Sequence, residues 1–144
     1  MPFSCKVGDS FYLRTDEFVV SHRHVIITFK NSDGKVVLVN FTSVSEYNEC
    51  VVEFRRKHDR HIFDHPTTIA YGRAMLVEGD GLVQYANNRY YHCGKHITNK
   101  IIEGAFLSSD IEPYILKEIK EQYPVEYEKY YPQELRGIDF TSPT

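Results

Sequence analysis

With 144 residues, the chain has the length of one domain able to bury a core, and its formal charge of −3 argues neither for nor against nucleic acid. Its three cysteines, odd in number and without paired spacing, exclude a disulfide framework and read as reduced thiols of a cytoplasmic protein. No stretch approaches a membrane span, and MPFSCKVGDSF has no apolar run of a secretory leader. In chain order, Val7–Leu13 reads as a first strand, opened through Gly8 and Asp9, with polar Arg14–Glu17 after it. Residues 22–43, HRHVIITFKNSDGKVVLVNFTS, then carry two apolar runs, Val25–Thr28 and Val36–Val39, around the turn signal Asn31-Ser32-Asp33-Gly34. That pattern predicts a β-hairpin. A four-residue loop pairs Lys30 with Lys35 and Arg23 with Thr42; a two-residue Asp33-Gly34 loop sets Arg23 opposite Val44.

Further strands are expected at Cys50–Phe54, Thr67–Tyr71, Ala74–Val77 and Leu82–Tyr85, with a Gly79-Asp80-Gly81 turn before the last. Short strands separated by turns mark a small barrel or sandwich. The last third changes period. Ile97, Ile101, Ala105 and Phe106 predict a helix with Thr98 as its N-cap candidate. Ile111, Ile115, Ile119 and Tyr123 predict a second one, with Pro113 in its first turn and Pro124 just past its end. Residues 111–144 hold seven acidic and four basic residues, so residues 1–110 are formally neutral. Residues 1–124 thus form a β domain with C-terminal helices, and residues 125–144 an acidic, Tyr-rich tail expected to be weakly structured or held by a partner.

Either hairpin register gathers Arg23, His22, His24, Thr42 and Ser43 at one open end. An Arg fork binds two phosphate oxygens at once, and imidazole exchanges protons near neutrality. A basic stretch, Arg55-Arg56-Lys57-His58-Asp59-Arg60-His61, with Tyr71 and Arg73 nearby in sequence, can track an RNA backbone and stack bases. A solvated loop is the plainer alternative for that run. His65, held before Pro66, is the strongest acid–base candidate. A metal alternative uses His58, His61, His65 and Asp64, or His92, Cys93 and His96, but neither spacing is a standard zinc pattern. No metal and no cofactor is assigned.

The ordered set VGDSFYL, HRHVIITF, VVLVNFTS, HPTTIAYGRAMLV, ITNKIIEGAF and ILKEIKEQY resembles the MazF/PemK toxin pattern over roughly residues 6–122. The resemblance implies an SH3-like barrel, mainly β with C-terminal α-helices, in a homodimer neutralised by an antitoxin. It implies a metal-independent endoribonuclease that cleaves single-stranded RNA to 2′,3′-cyclic phosphate and 5′-hydroxyl ends and so inhibits growth. Arg23 and Thr42 match the family's catalytic pair, and Ser43 a neighbouring RNA contact. Two departures stand out: His24 occupies the place of a Pro, and Ile69–Arg73 contains no acid. They raise His22, His24, His61 and His65 as substitutes, with His65 and His24 the catalytic choices. Arg55, Arg56, Lys57, His61, Arg73, Tyr71, His22 and Ser43 are then the expected RNA contacts. Segments like the tail serve as antitoxin wraps in this family, so one hypothesis folds residues 125–144 back, or across a dimer, over a basic groove of Arg55, Arg56, Lys57 and Arg73; the plainer expectation is a solvated tail or one packed against the helices. The alternative function is a non-catalytic barrel module that binds a protein target, as gyrase poisons of the CcdB kind do, or binds nucleic acid without cleaving it.

Overall fold

β1 (Asp9–Leu13) begins where Gly8 turns the chain at φ +100°, a conformation that favours glycine. A Cβ at Gly8 would lie 2.6 Å from the Cys93 carbonyl oxygen, and the backbone there bonds both Ile26 and Cys93. The computed structural model describes residues 5–13, 21–85 and 88–130. β2 (His22–Ile26), β3 (Lys35–Ser43), β4 (Thr67–Ile69), β5 (Met75–Glu78) and β6 (Tyr91–His92) complete an antiparallel sheet of order β4-β3-β2-β1-β6, with β5 also on β3. The nine residues of β3 pair β5 with their first half and β4 with their second, so the sheet curls into a half-barrel. Helices α1 (Lys95–Ala105), α2 (Pro113–Gln122) and α3 (Pro124–Lys129) follow it.

β3 reads as a continuous apolar run because both of its faces are covered. Val37, Val39 and Phe41 join Val25, Ile101, Ile115 and Ile119 in the larger core. Val36 and Leu38 join Phe11, Ile26 and Leu82 in the smaller one. At the far end of β3, Phe41, Phe54 and Phe63 pack ring on ring, with centroids 5.0–5.8 Å apart. This cluster ties the loop of residues 55–66 to the sheet.

The hairpin forms in a register that neither predicted loop produces. His24 pairs with Asn40 and Ile26 with Leu38, so Thr42 is level with His22 and Arg23 with Phe41. Asn31 is the cause. Its Oδ1 accepts from the backbone of Asp33 and Lys35, so Asn31, rather than Lys30, faces Lys35. Thr28 Oγ1 then accepts from Val37 N in place of a ladder carbonyl, and the chain bows out between.

Other elements are corrected too. Cys50–Phe54 alternates in burial, but its ladder stops after the Phe54–Thr67 bridge because Val52 O accepts from the Thr68 hydroxyl instead of a backbone amide. Leu82–Tyr85 is part of a 3-10 turn, Asp80–Tyr85, whose inward residues Leu82 and Tyr85 lie three apart rather than alternating. α1 starts at Lys95, capped by Gly94, and Thr98 sits in the first turn with its hydroxyl on the Gly94 and Lys95 carbonyls. α2 follows the predicted stripe, with Pro113 at its start.

The tail's first residues are helical. α3 lays Tyr127 against Phe106 at 5.3 Å, and Tyr130 donates to Glu103 at 2.7 Å. They pack on the end of α1; the remainder of the proposed wrap, residues 131–144, lies outside the described residues.

The α1 face that meets the sheet is tight at one point. A Cβ on Gly104 would lie 2.3 Å from the Tyr71 hydroxyl and 2.5 Å from Val52 Cγ1. Ala is ordinarily the better helix former by about 1 kcal/mol. Here overpacking reverses the sign, and Gly104→Ala is expected to lower unfolding stability by about 1–3 kcal/mol. Urea denaturation checks this, and a stabilised variant would contradict the packing.

Candidate functional site

A cavity of about 160 Å³ opens where β2 begins and β3 ends, lined by Tyr12, His22, Arg23, Thr42, Ser43, Glu46 and His65 among others. Each wall has a separate origin. Tyr12 and Arg23 face each other across β1 and β2. Thr42 and Ser43 close β3, where a 3-10 turn, Val44–Glu46, takes over. His65 arrives from the 55–66 loop, which Val44 holds by donating to the Pro66 carbonyl at 3.1 Å. Thr67 Oγ1 donates to the His65 carbonyl at 2.9 Å and pins the same turn.

The Arg23 guanidinium lies 4.9 Å from the Tyr12 ring centroid and donates to Ser10 Oγ at 2.9 Å. Among the described residues its partners are a ring and a hydroxyl rather than a carboxylate. Arg89 lies 4.7 Å from the centroid of the same ring, a second cation beside Tyr12. Burial lowers the Arg23 pKa, and Arg89 adds to the effect. A guanidinium always stays charged. A half-buried guanidinium resting on a ring and a hydroxyl is suited to an incoming anion.

On the opposite wall, Ser43 Oγ lies 2.9 Å from His65 Nε2, and His65 Nδ1 lies 2.5 Å from Asp64 Oδ1. An ionised carboxylate only accepts, so Nδ1 carries the hydrogen, and in the neutral imidazole Nε2 then accepts from the Ser43 hydroxyl. The imidazole is thereby held in the tautomer that can take a proton. Its hydrogen bond to His65 lowers the Asp64 pKa. Asp64 is 88% exposed at its side chain and His65 53%, so water screens this pair.

Not every predicted site residue reaches the cavity. His24 is buried on the opposite face of β2, where its Nδ1–H donates to the His22 carbonyl at 2.9 Å. Burial pushes its pKa down to about 4, which favours the neutral ring, and it does not line the cavity. Tyr71 is fully buried, and its hydroxyl donates to the Ile101 carbonyl at 2.6 Å; it is a post between sheet and α1 and cannot stack a base. Arg73 lies 5.4 Å from the Tyr47 ring centroid. Arg55 pairs with Glu53 at 2.5 Å, while Arg56, Lys57 and His61 are exposed, His61 beside the Tyr91 ring. The two histidine sets do not converge. His58 stacks on His96 and meets Lys100, His61 meets Tyr91, and His65 meets Ser43; among the described residues no three His, Cys, Asp or Glu groups form a metal site.

Tyr12, Glu46 and the bond from Asp64 to His65 were missed by sequence reasoning. Asp64, next to His65 and three residues after His61, carried the only available signal.

Among the described residues, no helix is long and apolar enough to cross a membrane. Comparison with family models, with curated proteins and with solved structures finds no match to this chain, so the toxin resemblance rests on its motifs alone.

Proposed function

We propose that the chain is a metal-independent endoribonuclease of the MazF/PemK kind, built on an SH3-like barrel and acting on single-stranded RNA. One observation carries this reading: Arg23, Thr42, Ser43, His22 and His65, each named from the sequence, line a single cavity. In the reaction, His65 takes the 2′-hydroxyl proton through Nε2. The resulting oxyanion attacks the adjacent phosphorus. Arg23 holds two oxygens of the phosphorane, and Thr42 donates to a third. His22, which lines the same cavity, returns a proton to the leaving 5′-oxygen. The absence of an acid in Ile69–Arg73 is met by the histidines. The antitoxin and the homodimer that the resemblance implies belong to the same proposal, as does a cytoplasmic site of action.

The test is incubation of the purified chain with mixed single-stranded RNA in EDTA. The expected products end in 2′,3′-cyclic phosphate and 5′-hydroxyl. Activity that vanishes in EDTA and returns with Zn²⁺ or Mn²⁺ overturns the mechanism. RNA retention without any cleavage returns the non-catalytic binding module. Thr42→Ala, which removes one donor and keeps the guanidinium, is expected to slow cleavage clearly but less than loss of Arg23, as single-turnover rates will show.

A further inference from the structure

Ser43, His65 and Asp64 form a connected row, Oγ to Nε2 at 2.9 Å and Nδ1 to carboxylate at 2.5 Å. Nucleophile, base and orienting acid stand in hydrogen-bond reach in that order, the arrangement by which serine hydrolases are recognised irrespective of chain position. The row needs an anion-stabilising group facing the serine, and the same cavity contains Arg23. Val44 N, the amide after Ser43, is already spent on Pro66 O, so the oxyanion role falls to the guanidinium and the Thr42 hydroxyl. We propose that Ser43 is an activated nucleophile and that this pocket transfers acyl groups from small carboxylic esters to water.

In the first half, Ser43 Oγ bonds to the ester carbonyl carbon while its proton passes to His65 Nε2. The carbonyl π pair moves onto oxygen, toward Arg23. Collapse breaks the bond to the alcohol, which leaves with the proton from His65. In the second half, water attacks acyl-Ser43, His65 takes its proton and returns it to Ser43 Oγ, and a carboxylic acid is released. The small cavity takes a short acyl chain. Asp64 touches no substrate; it is a positioning residue that fixes the tautomer. The charged and titratable groups about His65 are Asp64, with Arg56 near that carboxylate, and Glu46, His22 and Arg23 across the cavity. Exposure of Asp64 weakens the row, so slow turnover is expected.

The inference does not rest on RNA cleavage, and its test uses none. The full chain is treated with a biotinylated fluorophosphonate, and the adduct is located by peptide mass spectrometry. Labelling at Ser43 is expected, with a rate about 100-fold lower or less in His65→Ala. p-Nitrophenyl acetate is expected to be hydrolysed with a burst that Ser43→Ala removes. Asp64→Asn is expected to displace the pH profile of labelling and leave the unfolding midpoint in place. A wild-type chain that leaves Ser43 unmodified, or labels equally fast in a folded His65→Ala variant, overturns the proposal. A chain that labels at Ser43 but leaves RNA intact keeps this inference and removes the ribonuclease; cleavage of RNA without labelling does the reverse.

Discussion

Arg23→Ala is expected to slow RNA cleavage by about 100- to 1,000-fold while the fold survives, as for loss of one donor to a developing oxyanion, about 2.7–4 kcal/mol of barrier. The side chain lies at the rim of the sheet, on Tyr12 and Ser10, and not within the aliphatic core. Its loss therefore removes a cation from the cavity without opening a void among Val25, Val39 and Ile101. Single-turnover cleavage with circular dichroism on the same sample separates the two effects. A folded variant that cleaves at the wild-type rate would falsify the phosphate-clamp role. Arg23→Lys tests geometry: an ammonium keeps the charge and loses the fork, so partial recovery is expected.

Phe54→Ala is expected to have the largest effect on stability, about 3–5 kcal/mol, the range for deleting a buried aromatic ring. Phe54 is fully buried, stacked on Phe63 at 5.0 Å and set edge-on to Phe41 at 5.8 Å. Lys100 covers its outer face, 4.9 Å from the centroid. The same ring anchors the loop that delivers His65, so the substitution acts on the site as well as on the core. Urea unfolding measures the first. The second follows from the Ser43–His65 contact, and activity is expected to fall under conditions where the variant is still folded. A loss below about 1 kcal/mol would show that the three rings do not hold the loop.

Much of the architecture was readable in the residues because it depends on local rules. Apolar runs bounded by turn residues mark β1 to β3, and the 3.6-residue stripes Ile97–Ile101–Ala105 and Ile115–Ile119 mark α1 and α2. Pro113 takes the first turn of α2 because a helix start has no use for the missing N–H. That Arg23, Thr42 and Ser43 share one cavity was legible for another reason: a short hairpin must bring the start of one strand beside the end of the next. His65 was legible through its place before a proline, which narrows the backbone.

The packed chain decided the rest. Asn31 and Thr28 compete with the ladder for its hydrogen bonds, and their side chains moved the hairpin by one residue from the predicted Arg23–Thr42 pairing. The cavity survives that shift because its walls come from four chain segments that meet at a curled sheet end, not from one cross-strand pair. His24 and Tyr71 could be placed only by burial: strand alternation sends His24 to the face opposite Arg23, and a helix carbonyl takes the Tyr71 hydroxyl. The Ser43–His65–Asp64 row joins residues more than twenty positions apart, through a turn closed by Val44 and Pro66. Composition and periodicity govern which segments are strands and helices because those are near-neighbour preferences. Which side chains share a cavity depends on how non-local surfaces settle together, and a one-residue change in pairing is enough to alter it.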